Sequence, residues 1–175
     1  IMHTNDVHSR IEPFPNDGSR NAGLGGAGRR AKMIDNIRAT NAHNLLFDSG
    51  DIFQGTPYFN FYGGELEIKL MSEMGYDACT MGNHDFDGGI DGFSKQLQHA
   101  NYQFTDTPLE HKTKLYKTFK KGDIKIGVFG LGIELNGLVP DKLYGATKYL
   151  NPVTEANRVA NILKYDEKCD YVICL

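Results

Sequence analysis

The sequence predicts an α/β domain in which helices pack on a sheet and functional loops follow the ends of strands. Short apolar runs of strand length alternate along the chain with segments whose apolar residues recur at helical spacing. Polar motifs that contain glycine or histidine follow three of these apolar runs. The length of 175 residues, with 40% hydrophobic and 23% charged residues, suits one globular domain.

The first predicted strand is Ile1–Thr4, and a polar motif follows it directly. Asp6 and His8 lie two residues apart where the strand gives way to a loop, so they share a face if the chain is extended there. The stretch 11–28 is rich in proline, glycine and asparagine and predicts a loop. The first helix is predicted from Ala27, Ala31, Ile34 and Ile37.

The next elements repeat this pattern of strand, motif and helix. The buried strand Asn44–Phe47 leads into the loop Asp48–Asp51. The following helix ends at Gly75, a residue type that commonly terminates helices. Its apolar positions are Leu66, Leu70 and Met74. A third strand, Tyr76–Met81, then leads into Gly82-Asn83-His84.

The second half predicts a further helix, a hairpin, another helix and a last strand. A helix after the third motif is predicted from Ile90, Phe93 and Leu97. The hairpin spans Leu115–Ile133 and turns at Lys121-Gly122-Asp123. Asn151 before Pro152 is typical of a helix start. The buried stripe of that helix is predicted to be Val153, Ala156, Val159, Ala160 and Leu163. The last strand starts at Asp170, and its apolar edge predicts that the domain continues downstream.

Composition limits the partners. A formal charge of −3 argues against binding of a nucleic acid polymer, which requires clustered cationic side chains. Arg29-Arg30 is predicted to be a helix surface rather than a phosphate clamp. The chain has no run of about 20 apolar residues, so no membrane span is predicted. Cys79, Cys169 and Cys174 are predicted to be buried thiols rather than a disulfide framework.

The residue types in the three motifs suit a metal site. Carboxylate, imidazole and amide oxygen bind divalent ions such as Zn²⁺, Mn²⁺, Fe²⁺ or Co²⁺. Two such ions about 3.5–4 Å apart can share a carboxylate, here Asp51, and activate water for attack on phosphorus. Gly50 and Gly82 precede Asp51 and Asn83, and glycine lets the backbone turn sharply beside the ions.

Each motif alone has an ordinary explanation. Asp6-x-His8 on its own is usually a surface pair, and Gly82–Asp85 on its own could be a turn with a helix cap. The metal interpretation depends on three motifs in order, each after a predicted strand. Solvated side chains are predicted for the remaining histidines, which are His3, His43, His99 and His111. The aromatic segment Tyr58–Tyr62 could stack on a base or pack beneath the Gln54-Gly55 loop, and packing is favoured.

Three longer strings resemble the calcineurin-like metallophosphoesterases, and within them the 5'-nucleotidase branch. These strings are His3–Ser9, Asp48–Gly55 and Gly82–Asp87. The resemblance spans nearly the whole chain and implies a four-layer α/β/β/α sandwich. It also implies that residues 1–175 are only part of the catalytic domain, with later histidine motifs and a carboxy-terminal substrate-binding domain beyond it.

The resemblance implies a role for each motif residue. Asp6 and His8 would bind the first metal, Asp51 would bridge both metals, and Asn83 would bind the second. His84 would be catalytic, facing the phosphoryl group, and Asp87 would hold its imidazole. One departure from the family lies between Leu97 and Leu109, where a longer apolar strand is usual and this chain offers only Tyr102-Gln103-Phe104.

Two hypotheses for function remain open. In the first, the chain belongs to a periplasmic or extracellular phosphohydrolase with two divalent metals. It would act on 5'-nucleotides, with 2',3'-cyclic nucleotides or nucleotide sugars as further candidate substrates. In the second, it is a catalytically incompetent metal-binding or interaction module on the same scaffold. Within the enzyme class, another phosphodiesterase or a sulfur-oxidation hydrolase is the nearest rival.

Overall fold

A computed structural model of the chain describes residues 1–105 and 113–175, and its strands form two sheets. In spatial order, the first sheet contains β1 (Met2–Thr4), β2 (Leu46–Asp48), β3 (Ala78–Cys79) and β4 (Gln103–Phe104). All of its neighbouring strands are parallel. The second sheet contains β5 (Lys117–Lys121), β6 (Ile124–Phe129) and β7 (Tyr171–Cys174). The predicted hairpin is present as antiparallel β5 and β6, and β7 is parallel to β6.

Six α-helices connect the described strands. They are α1 (Ala27–Thr40), α2 (Pro57–Tyr62), α3 (Glu65–Glu73), α4 (Ile90–Gln96), α5 (Asp141–Tyr144) and α6 (Pro152–Asn161). Short 3-10 turns lie at His84–Phe86 and Leu97–His99, and α6 continues as a π turn over Ile162–Asp166. Asn151 caps α6 as predicted, since its Oδ1 accepts a hydrogen bond from the Thr154 amide at 2.9 Å.

The core has three parts, and together they define four layers. Helices α1, α3 and α4 cover one face of the first sheet, where Ile34, Ile68 and Phe93 are buried with Leu46 and Cys79. The opposite face packs against the second sheet through the buried side chains Phe47, Ala78, Ile126 and Val128. Helix α6 covers the outer face of the second sheet through the buried residues Phe129, Val159 and Leu163. The predicted α/β/β/α sandwich is therefore confirmed.

Two predicted helix faces differ from the structure. The buried stripe of α6 begins at Ala156, because Val159 and Leu163 pack on the second sheet while Val153 is 67% exposed and lies outside that cluster. In α3 the most deeply buried apolar residues are Ile68 and Met71, beside the predicted Met74. Leu66 and Leu70 are only partly buried.

The cysteines and histidines differ in how far they are buried. Cys79 and Cys169 are buried free thiols, but Cys174 is exposed because β7 is an edge strand. His3 and His43 are exposed as predicted, His99 is partly buried 3.9 Å from a Glu65 carboxylate oxygen, and His111 lies outside the described residues.

The predicted packing of the aromatic segment Tyr58–Tyr62 and the predicted exposure of Arg29-Arg30 each hold for only part of the residues. Phe59 packs on Phe53 with ring centroids 5.3 Å apart, whereas Phe61 is 80% exposed. Arg29 is exposed, but Arg30 is partly buried and its Nε has no hydrogen-bond partner among the described residues.

The segment between Leu97 and Leu109, where the sequence departs from the family pattern, includes β4. This strand has two residues and pairs with β3, and residues 106–112 of the interval lie outside the described chain. None of the described helices combines the length and apolar character that a membrane crossing needs.

Candidate metal centre

The three motifs meet at one edge of the first sheet. Strands β1, β2 and β3 are parallel neighbours, so their carboxyl ends lie side by side. The backbone pairing of β1 and β2 continues past the strands, because the Asp6 amide donates to the Gly50 carbonyl at 2.9 Å and the His8 amide to the Asp51 carbonyl at 3.0 Å. This pairing places the Asp6–His8 loop against the Asp51 loop.

Asp6, His8 and Asp51 form a cluster that fits a divalent metal. Their donor atoms all lie within 4.8 Å of one another, and no other group of three or more His, Cys, Asp or Glu side chains in the described parts of the chain is arranged this way. His8 Nε2 lies 3.7 Å from Asp6 Oδ1 and 3.9 Å from Asp51 Oδ2. Donors that bind one ion at about 2.0–2.2 Å lie at most about 4.4 Å apart, so both distances fit.

The ligand loops have a strained backbone. Asp6, His8, Ser9 and Asp51 have φ of 51°, 44°, 55° and 54°, in the left-handed region. Gln54, three residues after Asp51, has φ of 66°. Non-glycine residues in this region cost about 1–3 kcal/mol each and persist where the surroundings hold them. Among described non-glycine residues, the only other positive φ is at Lys168, far along the chain.

Asp85 supplies much of this support. Its side chain is fully buried and accepts hydrogen bonds from the amides of Asp51, Ile52, Phe53 and Gly82, at 2.9–3.0 Å. Burial raises the pKa of the Asp85 carboxyl to about 7, opposed by the amides that donate to it. The Asp85 carboxyl, which belongs to the third motif, therefore connects it to the second motif by hydrogen bonds. Sequence reasoning gave Asp85 no role of its own.

Asp48 holds the start of the Asp51 loop. It is fully buried, and its carboxylate accepts hydrogen bonds from the Gly50 amide at 2.9 Å and from the Thr4 hydroxyl. The same hydroxyl lies 2.8 Å from the Tyr76 hydroxyl. Burial raises the pKa of Asp48 to about 6, and the two hydrogen bonds to its carboxylate oppose this shift.

Gly50 and Gly82 lie where the second and third motifs are in close contact, and of the two only Gly50 has the left-handed φ of a sharp turn. Gly50 has φ of 95°, and a Cβ built on it would collide with the backbone of Met81 and Gly82. A Cβ on Gly82 would collide with the Asp51 carboxylate. Side chains at either position would separate the second and third motifs.

His84 lies beside the cluster and is held by two contacts. Its Nδ1 is 2.9 Å from Asp87 Oδ2, and its backbone amide donates to Asp51 Oδ1 at 2.9 Å. The ring centroids of His84 and His8 are 5.1 Å apart. The hydrogen bond to Asp87 raises the pKa of His84 above its ordinary value, and burial opposes it. Asn83, partly buried, directly precedes His84 at the start of the 3-10 turn.

A cleft of about 200 Å³ opens at the cluster. Asp6, Asp51 and Gly82 line one side, and Leu131 and Ile133 line another. The last two follow β6 in the second sheet, and sequence reasoning gave them no part in the site. The segment that follows β6 therefore contributes a wall to the candidate centre.

Comparisons with known proteins agree with this geometry. The profile of the family described as calcineurin-like phosphoesterase matches residues 1–174. A snake venom 5'-nucleotidase from Gloydius brevicauda is 38% identical over 144 residues, covering 74% of this chain and 24% of that protein. A 5'-nucleotidase from Vibrio vulnificus is 32% identical, with 100% of this chain and 32% of that protein covered.

Solved structures show the same fold. A Haemophilus influenzae NAD nucleotidase superposes with a TM-score of 0.85 and 26% identity, covering 98% of this chain and 33% of that one. A 5'-nucleotidase precursor from Thermus thermophilus gives 0.82 and 27%, covering 98% and 35%. A Thermus thermophilus sulfate thiohydrolase gives 0.86 at 13% identity, covering 99% and 42%, which shows a shared fold alone.

These relatives are much longer than the present chain, which spans roughly a quarter to a third of the curated proteins it matches. The family match nevertheless covers all but one of its residues. The family predicted from the three motifs is confirmed, and the chain belongs to the calcineurin-like phosphoesterases.

Proposed function

We propose that the chain is the amino-terminal part of the catalytic domain of a 5'-nucleotidase. The observation that supports this most directly is the convergence of Asp6, His8 and Asp51 beside the His84–Asp87 pair. The names of the matched venom and bacterial relatives support a nucleotide as substrate. We extend the proposal to a periplasmic or extracellular location, supported by the venom relatives.

The residues of the cluster would hold two divalent metals, drawn from Zn²⁺, Mn²⁺, Fe²⁺ and Co²⁺. Asp6 and His8 would hold the first, Asp51 would bridge both, and Asn83 would hold the second. Bound metals in such sites supply a hydroxide at neutral pH and stabilise charge on phosphoryl oxygens. The remaining donors, together with a carboxy-terminal substrate-binding domain, are proposed to come from chain beyond residues 1–175.

His84 would act directly on the phosphoryl group. Its Nδ1 faces Asp87, so Nε2 is the ring atom free to donate a hydrogen bond to a phosphoryl oxygen. The raised pKa favours the protonated ring that such a donor needs. A donor fixed in place before reaction stabilises developing charge without reorganisation. Asp87 would therefore act as the residue that orients the catalytic imidazole.

A second function is supported by the donor count. Three carboxylate or imidazole side chains cluster among the described residues, and two ions require more donors than these and Asn83 supply. The chain by itself would then bind metal without turnover, as an interaction or metal-binding module. The thiohydrolase match supports only a common scaffold with the sulfur-oxidation rival.

The proposed function is tested with the full-length protein loaded with Mn²⁺. We expect release of phosphate from AMP at a kcat/KM well above that for bis-p-nitrophenyl phosphate, a diester, and no release of sulfate from an S-sulfonate. Preference for the diester would instead indicate a phosphodiesterase. Tight metal binding without turnover of any of these substrates would support the module.

A further inference from the structure

A buried glutamate lies behind the first motif. Glu67 of α3 is 3% exposed, and Ser9, the residue after His8, is 1% exposed. The Ser9 hydroxyl donates a hydrogen bond to Glu67 Oε1. The second oxygen, Oε2, is buried without a hydrogen-bond partner among the described residues.

The position of Glu67 is unfavourable for stability alone. Its helix neighbours Ile68 and Met71 are packed in the core, where an apolar side chain would need no polar partner. Carboxylates are seldom fully buried unless they are paired, because desolvation of the charge is costly. The hydrogen bond from the Ser9 hydroxyl is therefore the contact that offsets part of the desolvation cost of burying the Glu67 carboxylate.

Ser9 connects the first motif to its surroundings on three sides. Its amide donates to the Ile52 carbonyl at 2.8 Å, its carbonyl accepts from the Thr56 hydroxyl at 2.8 Å, and its side chain bonds Glu67. Ser9 and His8 both have left-handed φ. The loop of residues 6–9, in which Asp6, His8 and Ser9 have positive φ, thus ends at an anchored residue.

The two ligand loops have separate buried carboxylates that hold them. Asp85 bonds the amides of the Asp51 loop, and Glu67 bonds the residue next to His8. Because the Asp6–His8 loop is strained and its donors must face Asp51, its geometry depends on how firmly Ser9 is held.

We propose that Glu67 is a positioning residue, which through Ser9 holds the Asp6–His8 loop in the geometry that places both ligands against Asp51. This inference rests on the proposed metal-dependent function, but the loop geometry can be measured without metal. Glu67 would touch neither substrate nor metal and would act only through Ser9.

The first test is amide hydrogen exchange of the metal-free chain. In Glu67→Leu, which packs but cannot accept a hydrogen bond, we expect protection of the His8 and Ser9 amides to fall at least about tenfold. The Ile52 and Phe53 amides, bonded to Asp85, should keep their protection. Glu67→Gln retains an acceptor and should restore protection at His8 and Ser9. An equal fall at all four amides, or no fall at His8 and Ser9, would overturn the proposal.

The second test is calorimetric titration with Mn²⁺. We expect Glu67→Leu to weaken binding at least about tenfold and Glu67→Gln to restore it. Met71→Ala is the matched control, because Met71 is a core residue of the same helix with no bond to Ser9. Its Mn²⁺ affinity should equal that of the wild type. Equal weakening by Glu67→Leu and Met71→Ala would show a structural role only and would overturn the proposal.

The hydrogen bond between Ser9 and Glu67 can also be removed from the loop side. If Glu67→Leu fails to fold, Ser9→Ala breaks the same bond from the loop side, and the same local loss of protection at His8 is expected. Unchanged His8 protection in Ser9→Ala would overturn the proposal. If the wild type binds no Mn²⁺ while His8 protection still depends on Glu67, the proposed metal site fails and the positioning of the loop by Glu67 is supported.

Discussion

The carboxylates that support the ligand loops and those beside the second sheet lie in different environments. At the edge of the first sheet, Asp48 and Asp85 are fully buried and bond to backbone amides of the ligand loops. Just before β7 of the second sheet, Glu167 is only partly buried and Asp170 is exposed. Glu167 pairs with the Lys125 ammonium at 2.9 Å, and Asp170 accepts a hydrogen bond from the Lys125 amide at 2.7 Å. The left-handed non-glycine residues show the same division, since five of the six described ones lie in the ligand loops.

This difference separates a functional region from a supporting one. Burying carboxylates and holding residues in a left-handed backbone both reduce stability, so their concentration at one sheet edge indicates a function that requires fixed loops. The surface pairs of the second sheet contribute little, because water and ions screen them.

The largest expected effect comes from Asp51→Asn in the full-length protein. Loss of the carboxylate proposed to bridge the metals should remove metal and turnover together, because both ions would depend on this side chain. Metal content by elemental analysis and AMP hydrolysis measure the two effects. Asp123→Asn, at an exposed turn of the second sheet, is the control and should change neither.

His84→Asn should separate binding from chemistry. We expect metal content to stay at the wild-type level while kcat falls by about 10²–10³-fold, the usual loss when a fixed transition-state donor is removed. His43→Asn is the matched control, since His43 is exposed. Wild-type kcat in His84→Asn would rule out the catalytic role given to this ring.

Asp85→Asn should destabilise the fold itself. The amide group has fewer acceptor sites than the carboxylate, so buried backbone donors would lose their partner, and we expect a loss of about 3 kcal/mol in the free energy of unfolding. Urea denaturation measures it. Asp170→Asn, at the exposed position directly before β7, should change stability by less than about 1 kcal/mol. Equal losses in the two variants would contradict the difference drawn between the sheets.

Asp48 should make stability depend on pH in the acid range. Its pKa is raised from 3.8 to about 6, so the folded state retains a proton that the unfolded state has lost between these values. The free energy of unfolding should therefore fall by up to about 3 kcal/mol as pH rises from about 4 to 6, and then level off. Subtracting the Asp48→Asn curve from the wild-type curve isolates this component. A difference that rises with pH over this range would contradict the assignment.

The sequence predicted the parts of the site that depend on local order along the chain. Each ligand follows a strand, and parallel strands bring their ends to one edge, so the meeting of Asp6, His8 and Asp51 could be foreseen. The hairpin and the Asn151 cap depend on a few adjacent residues and were likewise predictable.

The supporting carboxylates could not be predicted, because their partners are distant in sequence. Glu67 bonds Ser9 across 58 positions, and Asp85 bonds Ile52 across 33. A charged residue in a helix pattern suggests an exposed face, which is why the burial of Glu67 was missed. Cys174 was misjudged for a related reason, since its run is apolar but the position of β7 at the sheet edge is a property of the whole fold.

The central claim is that Asp6, His8 and Asp51 form a preorganised metal site. Calorimetric titration of the chain with Mn²⁺ or Zn²⁺, in parallel with Asp51→Asn, tests it most directly. We expect stoichiometric binding by the wild type that is lost in the variant. Equal binding by both proteins, or no binding by the wild type, would contradict the claim.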